Sequence, residues 1–289
     1  MNPAAFYCQL CGCAEAHPWL SNCRDFYLQK EFSVDYVECN ACHLVQQFPL
    51  PADLGALYDN YPVHVRRNSA QRWARRVFHR QVYYRPSAGL INGAILDYGC
   101  GDGSFLQEMQ PQFQTVIGFE PSTAHAANLS RQLGLPVASD EAHLGDEWAG
   151  KLDVVTAHFV LEHVIDLRQA FEVFQKVLKP GGLLHITVPN IRSWEARLFK
   201  RRWHGLDAPR HLVFPEELHF TTLATDYGFG DVRVSHASFP NTLAGSISTV
   251  LTGRCRPAVL MGLTLPSAFI SLMAHQGTLL VEMRRSAEG

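Results

Sequence analysis

Ile95-Leu96-Asp97-Tyr98-Gly99-Cys100-Gly101-Asp102-Gly103-Ser104-Phe105-Leu106 is the stretch from which the rest of the chain is read. It predicts a short buried strand over Ile95 to Asp97, a turn with glycine at alternate positions, and a helix opening near Ser104. Gly99, Gly101 and Gly103 lack a side chain, so the backbone can bend sharply and a ligand can come close. In an open parallel sheet, the crevice for that ligand lies at the carboxyl end of the first strand. The free N–H groups of the helix start suit a carboxylate.

The glycine spacing narrows the ligand. A dinucleotide turn has the form G-x-G-x-x-G. Here it is G-x-G-x-G, with Asp97 two residues ahead. A second strand, Thr115-Val116-Ile117-Gly118-Phe119, ends in Glu120, whose carboxylate can accept both hydroxyls of a ribose. These stretches resemble motif I and the following acidic position of class I S-adenosylmethionine-dependent methyltransferases.

Downstream the pattern alternates strand and helix, which implies right-handed crossovers and a parallel sheet. Ser122 caps a helix to about Leu133, Gly134 stops it, and Val137-Ala138 is a short third strand followed by Asp140. Leu152 to His158 is the fourth strand, and it runs into Phe159-Val160-Leu161-Glu162-His163-Val164, similar to the family motif after strand four. In some relatives a glutamate three residues before the E-H pair helps to bind magnesium. Phe159 stands there in this chain, so no catalytic magnesium is expected. Asp166 to Leu178 is an amphipathic helix ended by Lys179-Pro180-Gly181-Gly182. Leu183 to Asn190 is the fifth strand, Glu216 to Tyr227 a helix, Asp231 to His236 the sixth strand and Thr278 to Met283 the seventh.

The resemblance covers roughly Gly93 to Arg285. It implies an α/β, Rossmann-like seven-stranded sheet whose seventh strand is antiparallel, and methyl transfer from S-adenosylmethionine with release of S-adenosylhomocysteine. It implies a cofactor site made of Asp97, Gly99, Cys100, Gly101, Glu120, Pro121, Asp140, His158 and Tyr61, with Tyr58 a further candidate beside the cofactor mouth. Asp140 is expected to face the adenine amino group, or to be an ordinary helix cap. His158 is expected beside the sulfonium, touching cofactor or substrate or capping the strand. His211, within Trp203 to Leu212, is the candidate base, since a histidine near neutrality can take a hydroxyl proton.

The first 50 residues hold two C-x2-C knuckles, Cys8/Cys11 and Cys39/Cys42, with an alternating strand pattern leading into the second. Four thiolates can close a tetrahedral zinc shell with no position left for water, so residues 1–50 are read as a small zinc-ribbon-like module whose metal is structural. Cys13, Cys23, His17 and His43 compete as ligands. Residues 51–92 form a connector containing a helix expected over Ser69 to Tyr84. Its Arg72, Arg75, Arg76 and Arg80 interleave with aromatics, which fits either an RNA grip or a solvated basic face. Residues 93–289 form the main domain, with a helical insertion at about 240–276.

Apolar residues make up 47% and charged residues 18%, so a packed core is expected rather than disorder. The net charge of -2 does not favour a nucleic-acid partner. No export signal is evident and the cysteines cluster, which points to a cytoplasmic protein. From Pro257 to Val281 no side chain is formally charged. Prolines and small polar residues interrupt this run, so the readings are a membrane-surface or substrate-covering helical pair, helices that pack or form a homodimer, or a spanning helix.

The function expected is methylation of a small molecule, most simply at an oxygen of a hydroxylated metabolite or sugar. The alternatives are an RNA methyltransferase and a non-catalytic cofactor-binding interaction protein.

Overall fold

A computed structural model describes residues 5–51, 53–58, 61, 82–86, 92–273 and 277–287. The expected arginine-rich helix falls almost wholly outside the described residues. At its far end Val82, Tyr83 and Tyr84 are not helical.

Three strands open the chain: β1 (Ala16–Arg24), β2 (Ser33–Cys39) and β3 (Val45–Gln47). The main domain continues with β4 (Ala94–Tyr98), β5 (Thr115–Phe119), β6 (Val137–Ala138), β7 (Leu152–His158) and β8 (Leu178–Pro189). Then follow β9 (Val213–Phe214), β10 (Phe229–Ala237) and β11 (Thr278–Arg285). Seven strands make one sheet in the order β10-β11-β8-β7-β4-β5-β6. The run from β8 to β6 is parallel, and β11 lies antiparallel between β8 and β10, as the sequence implied.

The central strands β4, β5, β7 and β8 are buried on both faces, so they appear in the sequence as near-continuous apolar runs. Adjacent Ile95 and Leu96 point to opposite faces and join different apolar clusters. The helix Leu167–Val177 buries Leu167, Ala170, Phe171, Phe174 and Val177 on one face. Its cap is Asp166, whose carboxylate accepts from the Arg168 and Gln169 N–H groups.

The start of the fifth strand of the main domain differs from expectation. The β8 strand starts at Leu178, so Lys179 to Gly182 lie within it rather than ending the helix before it. The register with β7 shifts there, and Gly181 has φ 76°. Glycine absorbs the irregularity, and the strand pairs again from Leu183.

The N-terminal strands do not form a closed module. Their sheet runs β1-β2-β3-β9, and its last strand comes from the main domain, with Val45 opposite Phe214 and Gln46 opposite Val213. The insertion is a helical pair, Pro240–Thr252 and Pro257–Met273. Among the described residues no helix is long and apolar enough to cross a membrane.

Candidate active site

The glycine turn after β4 folds as its sequence requires. Gly99, Gly101 and Gly103 all have positive φ (79°, 50° and 71°). A side chain at Gly99 would also collide with Val160, whose Cγ2 lies 2.5 Å from the ideal Cβ position. The Gly99 and Cys100 N–H groups donate to the Phe119 carbonyl, at 2.8 and 2.9 Å, tying the turn to β5. His125, which the sequence did not single out, donates from Nε2 to the Gly101 carbonyl at 2.8 Å.

A cavity of about 360 Å³ opens above this turn. Asp97, Gly99, Cys100 and Gly101 line one end, and Glu162, His163, His204, Asp207 and His211 line another part of its wall. Phe159 and Phe239 meet beside it with ring centroids 5.0 Å apart. Phe239 and Thr242 belong to the start of the insertion, whose first helix therefore contributes to the cavity wall. That helix packs closely: a Cβ at Gly245 would come within 2.4 Å of the His204 ring.

Asp97 is 5% exposed and accepts a hydrogen bond from Thr156 Oγ1 at 2.9 Å. His158 lines the cavity. Nε2 accepts from the Tyr84 N–H at 3.0 Å, so the proton sits on Nδ1, 3.5 Å from Asp97 Oδ1. No lone pair remains for a base. His158 therefore sits beside Asp97 with its proton on Nδ1.

Glu120 ends β5, is 6% exposed and accepts from the Ser122 N–H at 3.2 Å. It and the exposed Pro121 are not among the described residues lining the cavity. Asp140 is an exposed helix cap, its carboxylate 2.7 Å from the His143 N–H, and it too does not line the cavity. Asp140 thus caps its helix. Tyr61 lines the cavity and donates to Asp207 at 2.9 Å, whereas the Tyr58 hydroxyl meets His163 Nδ1 at 2.9 Å.

His211 is in the cavity, yet it is a poor base. Burial pulls its pKa down to about 3, so the imidazole is neutral. Nδ1–H donates to the Gly205 carbonyl at 2.8 Å, and Nε2 keeps its lone pair, 3.9 Å from Glu162 Oε1. Glu162 is fully buried, and neither oxygen has a hydrogen-bond partner among the described residues. Burial pushes its pKa up to about 8. The group that titrates near neutrality is therefore Glu162, not His211. Position in sequence could not show this, because both shifts come from burial.

Glu162, His163 and His211 offer ligand atoms that all lie within 4.8 Å of one another. One carboxylate and two imidazoles are poorer in oxygen than the shell a magnesium ion takes.

Cys8, Cys11, Cys39 and Cys42 also converge, with all four Sγ atoms within 4.8 Å. Cys8 and Cys42 are 3.5 Å apart, and Cys11 and Cys39 3.6 Å. Thiolates bound to zinc at about 2.3 Å would stand roughly 3.8 Å apart at tetrahedral corners, so the cluster fits that ion. The competing candidates are otherwise engaged. Cys13 bonds to the Glu15 backbone, His17 to Asn40 and His43 to Glu38, and Cys23 is buried in the apolar cluster around Tyr36.

A family model described as a methyltransferase domain matches residues 12–234. Human mitochondrial ubiquinone biosynthesis O-methyltransferase is 35% identical over 117 residues, covering 37% of this chain and 31% of that protein. Its counterpart from Escherichia coli O127:H6 is 32% identical over 117 residues, covering 37% and 48%. The chain thus spans a third to a half of the curated relatives it matches. Among solved structures, Haemonchus contortus phosphoethanolamine N-methyltransferase 2 aligns with TM-score 0.51 and 15% identity, over 84% of this chain and 62% of that one. The cyclase SpnF aligns with TM-score 0.50 and 22% identity, over 76% and 83%. These two likenesses concern the fold. The glycine turn, the sheet order with its antiparallel seventh strand, and the family match together make the chain a member of the class I S-adenosylmethionine-dependent methyltransferases.

Proposed function

We propose that the chain methylates a hydroxyl of a small, uncharged, ring-bearing acceptor. The observation that carries this reading is the make-up of one cavity. Its glycine-turn end suits the cofactor, while Glu162, His211, Phe159 and Phe239 face the remaining space. No lysine or arginine is among the described residues that line it, so a phosphate-bearing acceptor would lack counter-charge there. The relatives named as O-methyltransferases support oxygen as the methyl acceptor.

In this reading Asp97 and the backbone at Gly99 and Gly101 hold the amino-acid end of the cofactor, and Glu120 holds the ribose. The sulfonium methyl is already electrophilic, so the protein must align the nucleophile with the C–S bond and keep water out. An acceptor hydroxyl beside His211 can donate its hydrogen bond to the ionised Glu162 carboxylate. Its proton passes to that carboxylate as the oxygen attacks the methyl carbon and the methyl–sulfur bond breaks, leaving the methyl ether and S-adenosylhomocysteine. The four N-terminal thiolates hold a structural zinc ion.

A second reading uses the same three residues. Glu162, His163 and His211 make a donor set suited to a late first-row divalent ion, which would polarise the acceptor hydroxyl. Titration with cobalt(II) separates the two: visible bands that vanish in Glu162→Gln would favour the ion.

The test of the main proposal is transfer of labelled methyl from S-adenosylmethionine to a panel of phenols and catechols, with RNA as the competing substrate. Labelled methyl ethers are expected. Label in RNA alone would overturn it.

A further inference from the structure

Arg210 has the largest side chain among the fully buried described residues, at 1% exposure. It lies between two acids far apart in sequence. Nη1 and Nη2 donate to the carboxylate of Asp25, just after β1, at 2.8 and 3.1 Å. Nε and Nη2 donate to that of Asp207 at 2.9 and 2.7 Å. The guanidinium also stacks 4.4 Å over the ring of Tyr61. Asp25 is itself fixed, since it accepts from the Tyr27 and Leu28 N–H groups.

Several of the groups Arg210 holds lie on one side of the cavity. Asp207 and Tyr61 both line it. The Arg210 carbonyl accepts from His163 Nδ1–H at 3.1 Å. The next residue's carbonyl, that of His211, accepts from the Tyr36 hydroxyl on β2 at 2.8 Å. Then Leu212 donates to the Glu162 carbonyl at 2.6 Å and accepts from the Gln47 N–H at 2.7 Å. The cofactor end depends on other bonds, those of Asp97 with Thr156 and of the glycine turn with Phe119.

We propose that Arg210 is a positioning residue for the acceptor side of the cavity, and that through it the N-terminal sheet forms a supporting wall of the active site. The kinetic part of this proposal rests on the acceptor reading above. A planar guanidinium can grip two carboxylates at once, and a lysine ammonium cannot reproduce that fork. Displacing it would shift Asp207, Tyr61, His163 and His211 together and leave the glycine turn in place.

The test uses full-length Arg210→Lys and Asp25→Asn. The second keeps the pair with Asp207 and weakens only the link to the N-terminal sheet, so it serves if the first fails to fold. Calorimetry should give an S-adenosylhomocysteine affinity within twofold of wild type for both. Hydrogen exchange should rise in peptides from 203–214 and from 36–47 together. With catechol as the probe acceptor, KM should rise tenfold or more with a smaller change in kcat, and less in Asp25→Asn than in Arg210→Lys. Unchanged exchange at 203–214, or a parallel loss of cofactor affinity, would overturn the proposal. A wild-type protein that leaves catechol unmethylated would count against the acceptor reading alone, because the exchange result still decides the role of Arg210.

Discussion

His211 Nε2 stands 3.9 Å from Glu162 Oε1 in a buried part of the cavity wall. Their charge states run opposite to ordinary expectation: the imidazole is kept neutral and the carboxyl protonated up to about pH 8. A carboxyl group must be ionised to accept a proton, so methyl transfer to a phenol should speed up as pH rises, with a midpoint near 8. Glu162→Gln should cut kcat by about 100-fold or more and flatten that rise. A variant that kept the wild-type pH profile would remove Glu162 from the mechanism.

The same pair shapes stability against pH. Glu162 has its folded pKa raised from 4.5 to about 8, so folding binds an extra proton in that window and stability falls as pH rises through it. For His211 the folded pKa drops from 6.5 to about 3, so stability is lost as pH falls from 6.5 towards 3. Between 4.5 and 6.5 the two slopes oppose. Burial also lowers His163 and His204, adding to the acid-side loss. Thermal melts should therefore show a broad optimum near pH 5–6, and Glu162→Gln should lose the decline between 6.5 and 8.

Cofactor binding separates two carboxylates that the sequence offered together. Glu120→Ala should weaken S-adenosylmethionine binding tenfold or more by calorimetry. Asp140→Ala should leave it within twofold and cost about 1 kcal/mol through loss of a helix cap. Equal affinity in wild type and Glu120→Ala would remove the ribose assignment.

Gly99→Ala is expected to fail on two counts, a φ of 79° and the Val160 methyl where the new Cβ must go. It should lower stability by about 1–3 kcal/mol and abolish measurable cofactor binding. Wild-type affinity in this variant would mean that the turn does not approach the ligand.

Zinc removal gives a further check. A chelator should lower the melting temperature and release close to one zinc per chain, and Cys39→Ser should do the same without chelator. Cys13→Ser should keep its metal, because that sulfur bonds to the Glu15 backbone instead.

Much of the fold is legible in the sequence because parallel strands buried on both faces leave apolar runs, and the stops between them are explicit. Ser122 and Gly134 cap one helix, and β5 ends where Glu120 begins. The start of β8 is hidden because glycine and proline ordinarily end an element, whereas here Gly181 sits in a strand irregularity. The cofactor turn is readable because its constraint is local. The acceptor side is not, since it depends on pairs brought together only by folding. Arg210 and Asp25 are 185 residues apart, and Phe239 meets Phe159 from an insertion whose sequence is merely apolar. The poor basicity of His211 is likewise a product of enclosure.

Val213 and Phe214 complete the small N-terminal sheet, and Phe214 rests against Tyr36 with ring centroids 5.7 Å apart. A shortened chain beginning after Leu50 would thus strip an edge of its hydrogen-bonding neighbour and bare an aromatic surface. Such a fragment should precipitate or associate with itself. Anyone trimming this protein for crystallisation would do better to keep its first fifty residues.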